Sequence, residues 1–110
     1  MPNQNLFENG LLFFNSGSYY QAHEIWEDLW RETQGPVRLF YQGLIQAAVG
    51  LYHLQRGNEL GARAQIAKSI AHLINFEENP QSVDTPGLIE QLQKIGNNMP
   101  ALPVRIARIK

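Results

Sequence analysis

Gly35 followed by Pro36 limits more than any other feature what this chain can fold into. Glycine suits the residue just past a helix, where the backbone turns left-handed. Proline suits the first residue of the next helix, whose amide would have no partner anyway. The pair therefore ends one helix and begins another, and the apolar periodicity on both sides is helical. Before it, Tyr19, Ala22, Ile25, Trp26, Leu29 and Trp30 share one arc of a helical wheel, with Gln21, Glu24, Asp28 and Glu32 opposite. After it, Phe40, Gly43, Leu44, Ala47, Gly50, Leu51 and Leu54 form a second broad arc.

The same punctuation divides the rest of the chain. Asn5 with Glu8, and Ser18 with Gln21, have the spacing of capping boxes. Gly57 ends the third helix and Asn58 caps the fourth, Asn79-Pro80 opens a loop, and Thr85-Pro86 starts a short fifth helix ending at Gly96. These signals predict helices over about 5–15, 18–34, 36–56, 58–76 and 86–96. Pro100 and Pro103 argue against a helix beyond them, and Val104, Arg105 and Ile106 alternate. An extended arm across the bundle is expected there rather than a strand, because nothing else in the chain offers it a partner.

A faint repeat sets the pairing. Phe14-Asn15-Ser16-Gly17 leads to Ala22 as Leu54-Gln55-Arg56-Gly57 leads to Ala62. In each, an apolar residue closes one helix, glycine takes the turn, and a small residue lets the next helix pack back. The first corner is similar to the turn of a tetratricopeptide unit, but two corners are too few for a solenoid. Gly61, Ala62, Ala64, Ala67 and Ala71 read as a close-packing surface. The expected fold class is all-α: a compact bundle of about five helices, built from two antiparallel hairpins plus a short C-terminal helix and extended tail. One domain is expected to cover residues 1–110.

Composition narrows the function classes. A net charge of −1 supplies no concentrated basic face, so neither nucleic acid nor an anionic membrane is an expected partner. Without cysteine there is no disulfide framework, thiol nucleophile or cysteine-ligated zinc. The N-terminal residues lack a signal-peptide pattern. The longest apolar stretch, Leu39 to Leu54, is interrupted by Gln42, Gln46 and His53, short of the roughly 20 apolar residues that span a bilayer. A cytoplasmic location is expected. A protein partner or a homo-oligomer stays open.

Chemistry concentrates in the run His23-Glu24-Ile25-Trp26-Glu27. His23 and Glu27 sit one turn apart at the edge of the apolar arc beside Trp30, close enough to share an ion or a substrate atom. The zinc-protease helix reads His-Glu-x-x-His, with two histidine ligands and a glutamate base. Here glutamate replaces the second histidine. The competing structural account has His23 satisfied by a hydrogen bond and Glu27 paired with Arg31. On the next helix Arg38, Gln42, Gln46, His53 and Arg56 form a polar stripe without lysine or glutamate, residue types that serve hydrogen-bond networks as readily as water. Trp26 and Trp30 read as core, and His72 as a solvated residue.

The pattern Phe14-Asn15-Ser16-Gly17, Tyr19, Ala22-His23-Glu24, Trp26-Glu27 and Trp30-Arg31 resembles the prokaryotic family called domain of unknown function 309. So does Phe40-Tyr41-Gln42-Gly43-Leu44-Ile45-Gln46-Ala47-Ala48, followed by His53 and Gly57-Asn58. The resemblance covers about residues 7 to 75 and implies an all-helical fold. Members are sometimes labelled predicted metal-dependent hydrolases, a label that itself derives from the histidine–glutamate motif. It nominates His23, Glu24, Glu27, Gln46 and His53 as a polar centre.

Two functions from different classes follow. One is a metal-dependent or acid–base hydrolase with His23, Glu24, Glu27 and His53 catalytic, and Arg38, Gln42, Gln46 and Trp30 contacting substrate or completing the network. A divalent metal would draw its ligands from His23, Glu27 and His53. The other is a non-catalytic helical-hairpin module that binds a protein partner, its polar residues serving the fold. Whether the chain is an enzyme stays open at this point. The sequence pattern predicts that His23 and His53 share one hydrogen-bonded cluster with Gln46 and either Glu24 or Glu27.

Overall fold

The computed structural model describes residues 2–96 and 102–109. Its helices are α1 (Pro2–Asn15), α2 (Tyr19–Glu32), α3 (Val37–Gln55), α4 (Glu59–Leu73) and α5 (Thr85–Gly96). α1 packs on α2, α2 on α3, α3 on α4, and α5 on α4. The expected two hairpins are therefore present, joined face to face through α2 and α3. Among the described residues no helix is long and apolar enough to cross a membrane.

The two corners of the repeat share one hydrogen-bond pattern. At the first, Ser18 N donates to Phe13 O at 2.8 Å and Gly17 N to Phe14 O at 3.0 Å. At the second, Asn58 N donates to His53 O at 2.9 Å and Gly57 N to Leu54 O at 3.1 Å. These paired bonds define the Schellman helix stop, which needs a left-handed residue. Gly17 and Gly57 supply it at φ 85° and 78°. Gln55 Nε2 donates to Gly17 O at 2.9 Å, so the second corner is tied to the first. Ala22 and Ala62, the small residues after each corner, are buried.

Trp26 anchors the core with no exposed surface. Its ring lies 6.0 Å from Phe7 and 5.6 Å from Phe14, and its Nε1 donates to Phe7 O at 3.3 Å. A Cβ at Gly10 would overlap the indole. Glycine there is a packing requirement, because α1 must approach the largest side chain of α2.

Three sequence expectations are corrected. α1 begins at Pro2, so Asn5 lies inside the helix and cannot cap it. Proline is preorganised for a first helical position, and Glu8 turns instead to Gln4 and Arg108. Ser18 precedes α2 without a side-chain cap bond, its amide being engaged in the Schellman stop. Asn58 does cap α4, accepting from Gly61 N at 3.0 Å. Ala64, Ala67 and Ala71 are exposed. The close α3–α4 approach is made instead by Gly43 and Gly50, where an added Cβ would crowd Leu73 and Ile66.

The tail is an extended arm, as expected, with Val104 and Ile106 buried and Arg105 exposed. Side chains take the place of a neighbouring strand. Asn15 accepts from Ile106 N at 2.8 Å and donates to Ile106 O at 3.0 Å. Gln91 brackets Arg105 in the same way, at 3.0 and 2.8 Å. The Tyr19 hydroxyl accepts from Val104 N at 3.1 Å, and burial pushes its pKa up. The expectation that nothing could pair with the arm needs one amendment: Val83 and Arg108 form an isolated antiparallel bridge. Asp84 N donates to Ala107 O at 2.8 Å and Ile109 N to Ser82 O at 2.7 Å.

Candidate functional site

The polar residues singled out in the sequence divide among the α2–α3 seam, the two ends of α3 and the α3–α4 contact. His23 is half-buried on α2, and its Nδ1 lies 2.6 Å from Tyr20 O. A carbonyl oxygen only accepts, so Nδ1 carries the hydrogen and the neutral ring keeps its lone pair on Nε2. The ring also meets Tyr20 edge-on at 4.8 Å, and Tyr20 in turn packs on Tyr52 of α3 at 5.1 Å. Glu24 is exposed.

One turn further, Glu27 is half-buried and its carboxylate is 3.8 Å from Arg31 Nη2. Arg31 is held more closely by Asp28, at 2.6 Å. The anticipated Glu27–Arg31 pair therefore exists, but Asp28 is the stronger partner. Trp30 is half-buried rather than fully in the core. Its ring carries the Arg38 guanidinium at 3.8 Å, and Arg38 Nε donates to Trp30 O at 3.3 Å.

Between these residues lies an open groove of about 160 Å³ lined by Glu27, Trp30, Arg31, Gln42 and Ile45. Residues 42 and 45 share the α3 face turned toward α2, which is why an amide and an aliphatic side chain meet a carboxylate and an indole. Ile45 and Arg31 were not among the candidates. The spacing of Ile45, three residues from Gln42, was the available signal.

The remaining candidates turn elsewhere. Gln46 Oε1 lies 2.8 Å from His72 Nδ1, so its partner is on α4, and His72 is half-buried in this contact rather than merely solvated. His53 Nδ1 lies 3.5 Å from Asn58 Nδ2, at the corner that leads into α4. His23, Gln46 and His53 thus make their hydrogen bonds with three separate partners, and the single cluster expected from the sequence does not form. The cause is helix rotation: Gln46 looks across to α4, while His53 sits in the last turn of α3.

The metal candidates fare the same way. Among the described residues no three His, Cys, Asp or Glu side chains gather in a way that could hold an ion. His23, Glu27 and His53 therefore do not make the three-ligand centre of a catalytic zinc site.

The chain matches the family described as Domain of unknown function (DUF309) over residues 7–65. It belongs to the DUF309 family. The DUF309 match takes in α2, the seam, the groove and both Schellman corners, and it ends within α4. An "Uncharacterized protein" of Aquifex aeolicus (strain VF5) is 25% identical over 83 residues, which are 74% of this chain and 25% of that protein. "Uncharacterized protein YpuF" of Bacillus subtilis (strain 168) is 41% identical over 59 residues, 53% of this chain and 34% of YpuF. The chain thus aligns with only about a quarter to a third of the length of these relatives.

Proposed function

We propose that this DUF309 domain is a non-catalytic helical-hairpin module that binds a segment of a partner protein in the α2–α3 groove. The observation that carries the reading is the lining itself: Trp30 and Ile45 offer apolar contact, and Glu27, Arg31 and Gln42 offer polar groups at the rim. Open grooves that combine an aromatic anchor with a polar rim suit side chains of a partner. The candidate polar centre supports it from the other side, since His23, Gln46 and His53 make hydrogen bonds with three separate partners.

The test selects a random dodecapeptide library on the purified protein and maps the enriched peptides by amide chemical shifts. Peptides that perturb residues 27–31 and 42–45 are the expected result. In parallel, a broad hydrolase panel is run with and without added divalent metals. Turnover by the wild-type protein that disappears in a folded His23→Ala variant would overturn the reading.

One observation favours acid–base catalysis as a second reading. The Tyr20 carbonyl fixes the His23 tautomer and leaves Nε2 as an acceptor, the form a general base requires. The same panel decides it.

A further inference from the structure

The groove contains two polar groups without a hydrogen-bond partner among the described residues. Glu27 has only Arg31, at 3.8 Å, and Arg31 is committed to Asp28 at 2.6 Å. Nothing described bonds the Gln42 side-chain amide, although its residue is half-buried. Between the two lie the Trp30 ring and Ile45. A donor head on an aliphatic stem suits this set: the head for the carboxylate and the amide oxygen, the stem for the indole and the isoleucine.

Charge points the same way. Residues 23–32 hold four carboxylates, Glu24, Glu27, Asp28 and Glu32, against the single cation Arg31. The cation facing them from α3 is Arg38, which lies against Trp30 with its Nε on a backbone carbonyl. An acidic occupant would meet Glu27 directly and find Arg31 already engaged.

Resting on the interaction reading above, we infer that the groove takes a lysine or arginine side chain of the partner protein. Glu27 is its counter-ion, Gln42 its acceptor, and Trp30 and Ile45 the surface under its stem.

The peptides selected on the wild-type chain test this through their sequences. Those that map to the groove should share one basic residue beside apolar ones. Glu27→Gln should weaken their binding about fivefold, the scale of a half-exposed ion pair. Selection on Glu27→Lys should favour acidic residues instead. Both variants should fold, because Glu27 makes only the loose contact with Arg31; circular dichroism checks this. Peptides that map to the groove without a basic residue, or that bind Glu27→Gln as tightly as wild type, would overturn this inference and leave the interaction module standing. If no peptide maps to the groove, both fail.

Discussion

Arg38 lies 3.8 Å over the Trp30 indole and donates from Nε to the carbonyl oxygen of the same residue at 3.3 Å. One side chain of α3 thus holds both the ring and the backbone of the last turn of α2, beside the Gly35-Pro36 break. A cation at that helix end also complements the helix dipole. Arg38→Ala should cost about 1 kcal/mol in urea unfolding, the scale of a partly desolvated cation–π contact. Arg38→Lys should recover less than half, because an ammonium lacks both the planar face and the Nε donor. Equal midpoints for all three proteins would show that the contact contributes nothing.

Trp26→Ala should be the most damaging single truncation in the chain. The ring has no exposed surface, packs on Phe7 and Phe14, and bonds Phe7 O. Truncating a buried aromatic costs about 3–5 kcal/mol. An unchanged melting temperature would remove Trp26 from the core.

Asn15→Ala should loosen the C-terminal arm before it unfolds the bundle. Asn15 satisfies both backbone groups of Ile106, and losing it leaves a part-buried amide and carbonyl unpaired, at about 1–3 kcal/mol. The measurement is hydrogen exchange at the Ile106 amide, which should lose its protection while the amides of α3 keep theirs. Asn15→Asp should retain the bond from Ile106 N and lose the one to its carbonyl oxygen.

The arm should also loosen in acid. Arg108 donates to Glu8 Oε2 at 2.7 Å, and this bond is the chief reason the Glu8 carboxyl is held below its ordinary value of 4.5. Burial pushes the other way, and Gln4 adds a second, smaller lowering bond. With the folded value depressed, the unfolded chain binds the proton more readily, so the contribution is complete above 4.5 and disappears as pH falls through the lower folded value. The two side chains are 40% and 36% exposed, so solvent and salt screen the pair to below about 1 kcal/mol. Arg108→Ala should therefore be less stable than wild type at neutral pH, and in strong acid the difference should narrow to what the Phe7 and Gln81 contacts of Arg108 contribute. High salt should narrow the neutral difference.

Much of the architecture was legible in the sequence, and the site much less so. The Schellman stops at Gly17 and Gly57 depend on residues within five positions of each other, and sequence spacing records such contacts directly. The buried face of α2 was read from the same kind of signal: Tyr19, Ala22, Trp26 and Leu29 are all buried. Where a local signal had two outcomes it misled. Asn5 resembled a cap until Pro2 began the helix earlier, and the α4 alanines resembled a packing surface that Gly43 and Gly50 provide from α3.

Local chemistry along the chain thus determined the helices, their stops, the two hairpins and the tryptophan at the centre, because backbone bonding and helical periodicity act between near neighbours. Only the tertiary structure decided which polar side chains meet. Gln46 and His72 are 26 residues apart, and Asn15 and Ile106 are 91 apart. Whether such pairs form depends on how far each helix rotates about its axis when the core closes, and a rotation of one residue, about 100°, moves a side chain from one neighbour to another. That rotation follows from the summed packing of Trp26, Leu73 and Ile66 against glycines on facing helices, with Phe7 stacked on Trp26. It gave Gln46 to α4 and left Gln42 and Ile45 facing Glu27 and Trp30 across the seam.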